Sequence, residues 1–548
     1  MPIDSTMSPL VETSDPSYTD FLMSKRITDL PTGRDVPIGM LPDVLFDWQA
    51  VLVQWALHRG RAALFTPCGS GKTLMQCVWA AHIPGQVLIV APLAVAQQTI
   101  REARDKLAMP IAYVKTPAEM TGQVCITNYD RLEAFYDIDI AGIVLDESSI
   151  LKAVTSKTRD ALIKHFAHIP SRLCCSATPA PNDIAEMANH AEFLGVMSRT
   201  SMLSTFFVHD DTGWRLRGHA REAFFRWLAS WSMAIRSPED LGYDGSAFVL
   251  PPLHTYPVFL SVPWRANGEL FAGMGLKGIT DRSSVRRDTT AARAQHAAQL
   301  ARETHGQCVI WCGLNTESSL VTTLLKDESV IEVTGSQSVE EKERRLLGFL
   351  DGTYRVLISK GKIAGHGLNM QCAQTAIYLG LSDSWELWYQ SVRRLWRFGQ
   401  QYPVTIHVVL SEHEQPIWEN IQRKEQEAMA MIDGLVENVK GFEQEVLQEQ
   451  SADGPSAPMQ HHTGIDWDLY QGDCVEGLAQ IPDGSVHLTM YSPPFLSLYQ
   501  YSPTEKDLGN CTSEEQFFAH HAYIAQQLLR ITMPGRLVAM HVSDVPAM

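Results

Sequence analysis

The chain has 548 residues, 45% apolar and 20% charged, with a formal net charge of −17. That length suits three or four domains of ordinary size and a core large enough to need no disulfide or metal staple. The acidic balance excludes a histone-like coating of nucleic acid, although net charge describes the far field and leaves room for a local basic groove. The ten cysteines include no CxxC pair, and Cys308 and Cys312 have no partners at zinc spacing. They read as thiols of a reducing cytosol. No basic-then-apolar signal pattern opens the chain, and the longest apolar run, "VLIVAPLAVA", falls well short of the ~20 residues a membrane helix needs. The expectation is a cytoplasmic protein without a membrane partner.

Residues 1–40 are polar and rich in Pro, Ser, Thr and Asp, and read as a flexible lead-in. From 41 to 200, short apolar runs alternate with helical patterns: "AALF", "VLIVAP", "VCITNY", "GIVLDE" and "RLCCSATP". Continuous apolar strands of this kind mark a parallel sheet covered on both faces. Residues 201–255 form an aromatic-rich, partly helical insert. The alternation returns over 256–410 with "CVIWCG", "VIEVTG", "RVLISK", "TAIYLG" and "VTIHVVL". An acidic helical tail follows over 411–448, then a linker by composition over 449–464, then a third unit over 465–548. The fold class is α/β, with two parallel-sheet lobes and a smaller terminal unit.

The first lobe carries "FTPCGSGKTL" directly after a strand. Gly69 and Gly71 let the backbone turn tightly so that N–H groups, with that of Ser70, point at one phosphate. Lys72 suits the terminal phosphates and the Thr73 hydroxyl suits Mg²⁺. The full GxxxxGK[ST] pattern is not met, since Thr66 stands where its first glycine would be. "GIVLDESS" ends a strand with Asp146 and Glu147. The aspartate suits Mg²⁺ through water, and the glutamate suits orienting or deprotonating an attacking water.

This set resembles superfamily-two helicase-type ATPases, more narrowly the Swi/Snf-type DNA translocases, which implies two RecA-like lobes using ATP and Mg²⁺. "DWQAVLVQW" is similar to the family's adenine-contacting segment, which implies Gln49 as the base reader. "APLAVAQQ" is similar to motif Ia, and "DESSILK" to the DEAH box running on to Lys152. "SATPAPN" resembles motif III, so Ser176, Ala177 and Thr178 are implied to couple hydrolysis to motion. Ser149 and Ala153 depart from the family's histidine and asparagine.

A second lobe must reach the nucleotide if hydrolysis is to change the geometry between lobes. "YQSVRRLWRFGQQ" offers Arg394 and Arg397, three apart and on one face if helical. Guanidinium groups there neutralise charge on transferring phosphates. The run resembles motif VI, with Gln390, Gly399 and Gln400 also matching, and Arg393 is extra. "SKGKIAGHGLNMQ" resembles motif V, with Gly367 implied at the nucleotide or at a DNA phosphate. The resemblance implies DNA as partner, duplex rather than single-stranded, lying near Gln97–Gln98, the "SVRRD" stretch over 284–288 and motif V. In the insert, Trp214, Arg215, Arg217, Trp227 and Trp231 either pack or wedge a duplex, and the helical spacing favours packing. A nucleotide-gated binding module and an RNA helicase are the alternative readings.

The third unit contains "DLYQGDCVEGLAQIPDGSVHLTMYSPPF". Ser492, Pro493, Pro494 and Phe495 stand at a strand's carboxyl end, where open α/β sheets bind ligands. Proline stiffens the loop, and an aromatic beside it suits stacking on a flipped base. The segment resembles amino-group DNA methyltransferases, whose motif IV is (D/S/N)PP(Y/F/W), and this implies a partial Rossmann-like domain acting on adenine or cytosine. The family's donor is S-adenosylmethionine, but no FxGxG-like loop for it occurs. The expectation is that the domain continues beyond Met548 and that this chain alone is inactive as a methyltransferase. A motor fused to a base-modifying segment suggests a phage or bacterial restriction–modification setting.

Overall fold

The computed structural model describes residues 17–25, 31–152, 157–210, 213–262, 285–364, 369–449, 459–494, 505–511 and 514–542. They fall into two compact units, a larger one of 30–199 and 228–440 and a smaller one of 1–29, 200–227 and 441–548.

In the larger unit the first sheet takes β1 (Arg61–Phe65), β2 (Val87–Ala91), β3 (Ala112–Tyr113), β4 (Val124–Asn128), β5 (Gly142–Asp146) and β6 (Ser171–Ser176). These strands are mostly apolar, and their polar residues fall at the ends, because helices cover both faces of a parallel sheet. Every residue of β2, β4 and β5 is buried. In the smaller unit, β7 (Phe207–Asp210) and β8 (Gly213–Leu216) form an antiparallel hairpin. β9 (Ser232–Ala234) then joins the first sheet beside β1, with Ala63 opposite Ser232 and Phe65 opposite Ala234. The strand order is β3-β4-β2-β5-β6-β1-β9. Residues expected in the insert thus supply an edge strand, one too short for a sequence pattern to reveal.

The second sheet takes β10 (Leu253–Leu260), β11 (Cys308–Cys312), β12 (Val330–Val333), β13 (Val356–Ser359), β14 (Thr375–Leu379) and β15 (Val404–Ser411), in the order β10-β15-β14-β11-β13-β12. All its pairings are parallel. Both lobes are therefore RecA-like parallel sheets. The helix Gln415–Glu449 follows the second sheet.

Stability of the insert rests on its aromatics. Trp231 is fully buried in the larger unit. In the smaller unit Trp227 is buried and packs 5.4 Å from Phe206 and 5.9 Å from Phe224, measured between ring centroids. These rings are core and not a wedge. Trp214, on β8, is half-buried and meets His209 edge-on.

The smaller unit also overturns part of the lead-in reading, because Tyr18–Lys25 is a helix. It packs on the helix Glu514–Ile531, with Phe21 buried against Tyr523 and His520. The Tyr18 hydroxyl donates to Asp473 Oδ2 at 2.7 Å, and Lys25 Nζ donates to the Asp507 carbonyl at 2.8 Å and to His520 Nδ1 at 2.9 Å. Nothing in residues 1–40 taken alone signals this, since the partners lie more than 400 residues away.

β16 (Gln460–Thr463) and β17 (Asp468–Gln471) pair as an antiparallel hairpin, so four residues of the expected linker are strand. β18 (Val486–Tyr491) pairs in parallel with β19 (Thr532–Met540), with no other strand beside either among the described residues. Val475, Phe517, Ile524, Leu528 and Ile531 form the core under this pair. Leu488, Met490, Leu537 and Met540 remain exposed.

Candidate nucleotide site and the serine–proline loop

Three neighbouring strands of the first sheet, β5, β6 and β1, end on the same side, with Asp146 opposite Cys175 and Phe65 opposite Ser176. This adjacency brings the phosphate loop, the carboxylates and the Ser176–Thr178 turn together, although they are far apart in sequence. Gly71 caps the helix Lys72–His82 with a φ of 84°, and Gly69 has a φ of 87°. A Cβ at Gly71 would overlap Gln49 Nε2.

Gln49 itself is buried. It donates to the Ser70 carbonyl at 2.7 Å and accepts from Phe46 N at 3.0 Å. In this arrangement it holds the phosphate loop in place, beyond any contact with a base. Ser70 and Thr66 share a hydroxyl–hydroxyl hydrogen bond of 2.7 Å. Lys72 Nζ donates to the carbonyls of Thr66 at 2.8 Å and Pro67 at 2.9 Å, so the lysine lies folded onto the loop. Thr73 is half-buried in the first turn behind it.

Asp146 is buried, and burial followed by the neighbouring Glu147 charge pushes its carboxyl up to about 6. Two close carboxylates out of water favour a cation between or beside them. The buried Gln76 amide stands close enough to favour the Asp146 carboxylate, partly opposing the effect of burial. With the Thr73 hydroxyl, this oxygen-rich donor set fits a hydrated Mg²⁺, an ion that keeps several waters and takes one or two protein ligands. No cluster of three or more His, Cys, Asp or Glu suited to a metal exists among the described residues. Glu147 has a φ of 55°, rare for a residue with a side chain. The Thr178 N–H donates to Ser176 Oγ at 3.0 Å, which stiffens that turn. An imidazole does reach the carboxylate turn, from His190 on the helix Met187–Leu194, whose Nε2 lies 3.1 Å from Ser148 Oγ. Forty residues of separation hid it from the sequence.

The second lobe meets this site through the helix Trp385–Val392 and the turn after it. Arg394 and Arg397 lie in that turn, past the helix end, so the helical-face expectation is corrected. The turn nevertheless packs on the phosphate loop: a Cβ at Gly69 would lie 3.2 Å from Phe398 N and 3.5 Å from Arg397 Cβ. Burial pushes the Arg394 guanidinium down from its usual value, opposed by charges that include Glu147 and Asp146. Gln390 Nε2 stands 3.5 Å from Glu147 Oε2, a long contact. Gln400 donates to the Leu395, Gln371 and Ala373 carbonyls and fixes the turn from behind. Arg393 lies over the rings of Tyr389 and Trp396, at 5.1 and 4.3 Å, and is therefore no free solvated charge.

Other expected contacts fall differently. Arg286 of the "SVRRD" stretch turns inward to Glu317 at 3.4 Å, beside the fully buried Arg293–Glu317 pair at 2.9 Å. Arg286 thus takes part in a buried ion-pair cluster. Gln98 donates to Glu102 at 2.6 Å, and Gln97 is exposed. Gly367 and Phe495 lie outside the described residues.

In the smaller unit Ser492 follows β18 and is exposed, with its hydroxyl donating to the His541 carbonyl at 3.2 Å. Pro493 and Pro494 are half-buried. No described residue there is assigned to S-adenosylmethionine, and no transfer step is derived.

A family model described as helicase conserved C-terminal domain matches residues 292–399, a span that includes both arginines of the turn. That match lies within the second lobe. Among curated proteins, no sequence matches the chain. Among solved structures, a variant of S. cerevisiae dbp5 bound to a variant of gle1 and to IP6 is similar at a TM-score of 0.44 and 13% identity. That likeness covers 69% of this chain and 85% of the other. No helix among the described residues is long and apolar enough to cross a membrane.

Proposed function

We propose that the chain is an ATP-driven motor on nucleic acid, acting on duplex DNA, and that its Ser492–Phe495 loop is the base-gripping part of a DNA amino-methyltransferase segment. The observation that carries the motor reading is the packing of the Arg397–Phe398 turn against Gly69 of the phosphate loop, on the same side as Asp146 and Glu147. ATP is the substrate. Lys72 and the loop N–H groups hold its phosphates, while Thr73 and Asp146 hold Mg²⁺, which supplies charge neutralisation across the phosphates. Glu147 orients the attacking water and accepts its proton. Arg394 and Arg397 stabilise charge on the departing phosphoryl group, Gln390 completes the described second-lobe side, and Gly367 is a nucleotide contact by its resemblance to motif V. ADP and phosphate leave, and the lobes lose the ligand that joined them.

Phosphate release from the full chain and from Lys72→Ala, with duplex DNA, single-stranded DNA and RNA in competition, tests this. The expected result is hydrolysis stimulated most by duplex DNA and absent in Lys72→Ala. A rate indifferent to all three nucleic acids would remove the motor reading, and stimulation by RNA alone would reassign the substrate.

A further inference from the structure

Glu147 is one of three residues other than glycine with positive φ among the described residues, with Ala108 and Asp137. Such a conformation costs energy and persists only where the surroundings hold it. Within its own lobe, Glu147 N donates to Asp146 Oδ1 at 3.1 Å, and the Glu147 carbonyl accepts from Ile150 N at 3.2 Å. The other support comes from the second lobe. Glu386 and Gln390 lie four apart on the helix Trp385–Val392 and so share a face. Gln390 faces the Glu147 carboxylate, and Glu386 forms an ion pair with Lys152, at the end of the short 3-10 turn Ser148–Lys152 that begins directly after Glu147. The Glu386 side chain is 11% exposed and that of Lys152 33%, so the pair is partly desolvated and worth more than a solvated surface pair.

We propose that Lys152 and Glu386 are a positioning pair through which the second lobe sets Glu147 for reaction. One helix face meets both the Glu147 side chain and the far end of the turn that follows it. Parting of the lobes releases both contacts together and leaves Glu147 to the supports of its own lobe. The pair thereby ties turnover to lobe closure, without touching the nucleotide. This rests on the reading of the site as one that hydrolyses ATP.

The test measures kcat and KM for ATP with duplex DNA, and affinity for a fluorescent ATP analogue, in the full chain. Variants are Lys152→Glu, Glu386→Lys and the two combined, which restores the pair with its charges exchanged. Each single reversal is expected to lower kcat about tenfold or more, with analogue affinity within about threefold of wild type, since like charges then face each other. The combined variant is expected to recover most of the loss, the signature of direct coupling. If a reversal does not fold, Lys152→Met and Glu386→Gln replace it, with the same split in kcat. Unchanged kcat in the single variants, a loss confined to KM, or no recovery in the combined variant would overturn the pair's role while leaving the ATPase reading intact. A wild-type chain that does not hydrolyse ATP would overturn both.

Discussion

The carboxyl end of β5 and the carboxyl end of β18 are both places where a parallel strand stops and a polar loop begins, yet they are furnished differently. Beside β5 stands β6, with β1 next after it, and each contributes a loop, so Asp146, Ser176 and Ser70 of the phosphate loop are buried. Beside β18 stands β19 alone among the described residues, and Ser492 is exposed, meeting the His541 carbonyl at 3.2 Å and its Nδ1 at 3.4 Å. A strand end acquires chemistry from its lateral neighbours, because two or three loops must converge before water is excluded and charges are felt strongly.

If the first site is as tightly built as its packing implies, removing single groups should be costly there and mild in the smaller unit. The largest effect is expected from Arg397→Ala, about a thousandfold in kcat for phosphate release, the scale of a guanidinium that stabilises phosphoryl transfer. Next comes Trp231→Ala, which empties a fully buried site and should lower stability by about 3–5 kcal/mol in chemical denaturation. A wedge role would leave the melt unmoved.

His190 gives a pH test of the same core. Burial holds its imidazole down at about 4, whereas the unfolded chain takes up that proton near 6.5. The folded state refuses a proton that the unfolded state accepts. Stability is therefore full above pH 6.5 and falls as pH drops from 6.5 to 4, by about 3 kcal/mol in all. Denaturation at pH 7 and pH 5 should show this slope, flattened in His190→Gln.

A smaller effect is expected for Gly71→Ala, where a left-handed backbone and the overlap with Gln49 should cost about 1–2 kcal/mol and weaken nucleotide binding in a titration. Gln49→Ala in that background should recover only the part due to overlap. Smallest is Tyr18→Phe, about 1 kcal/mol, read as faster hydrogen exchange in the helix Glu514–Ile531 with phosphate release unchanged.

The central strands were legible in the sequence because strands such as β2 and β11 are buried on both faces and therefore read as unbroken apolar runs. β9, three residues long, has no period of its own and exists through its pairing with β1. The phosphate loop was legible because its residues are contiguous. What its neighbours do was not. Gln49 was legible as part of the motif, but its hydrogen bond to the Ser70 carbonyl is visible only in the fold. Arg393 was legible only as an extra charge in the run, and its place over the rings of Tyr389 and Trp396 comes from the fold. Glu386 was within reach of sequence reasoning, one helical turn before Gln390, but its partner Lys152 is 234 residues away. The docking of Tyr18–Lys25 had no local signal at all.

That last feature has a consequence for how the chain breaks. The smaller unit draws on residues 1–29, 200–227 and 441–548, so the polypeptide passes from one unit to the other four times. No single scission can divide the molecule into its two units. A protease that nicks the chain after Lys440 would leave Tyr18 and Lys25 still bonded to Asp473 and His520. The clipped protein would migrate as one body until a denaturant released the fragment.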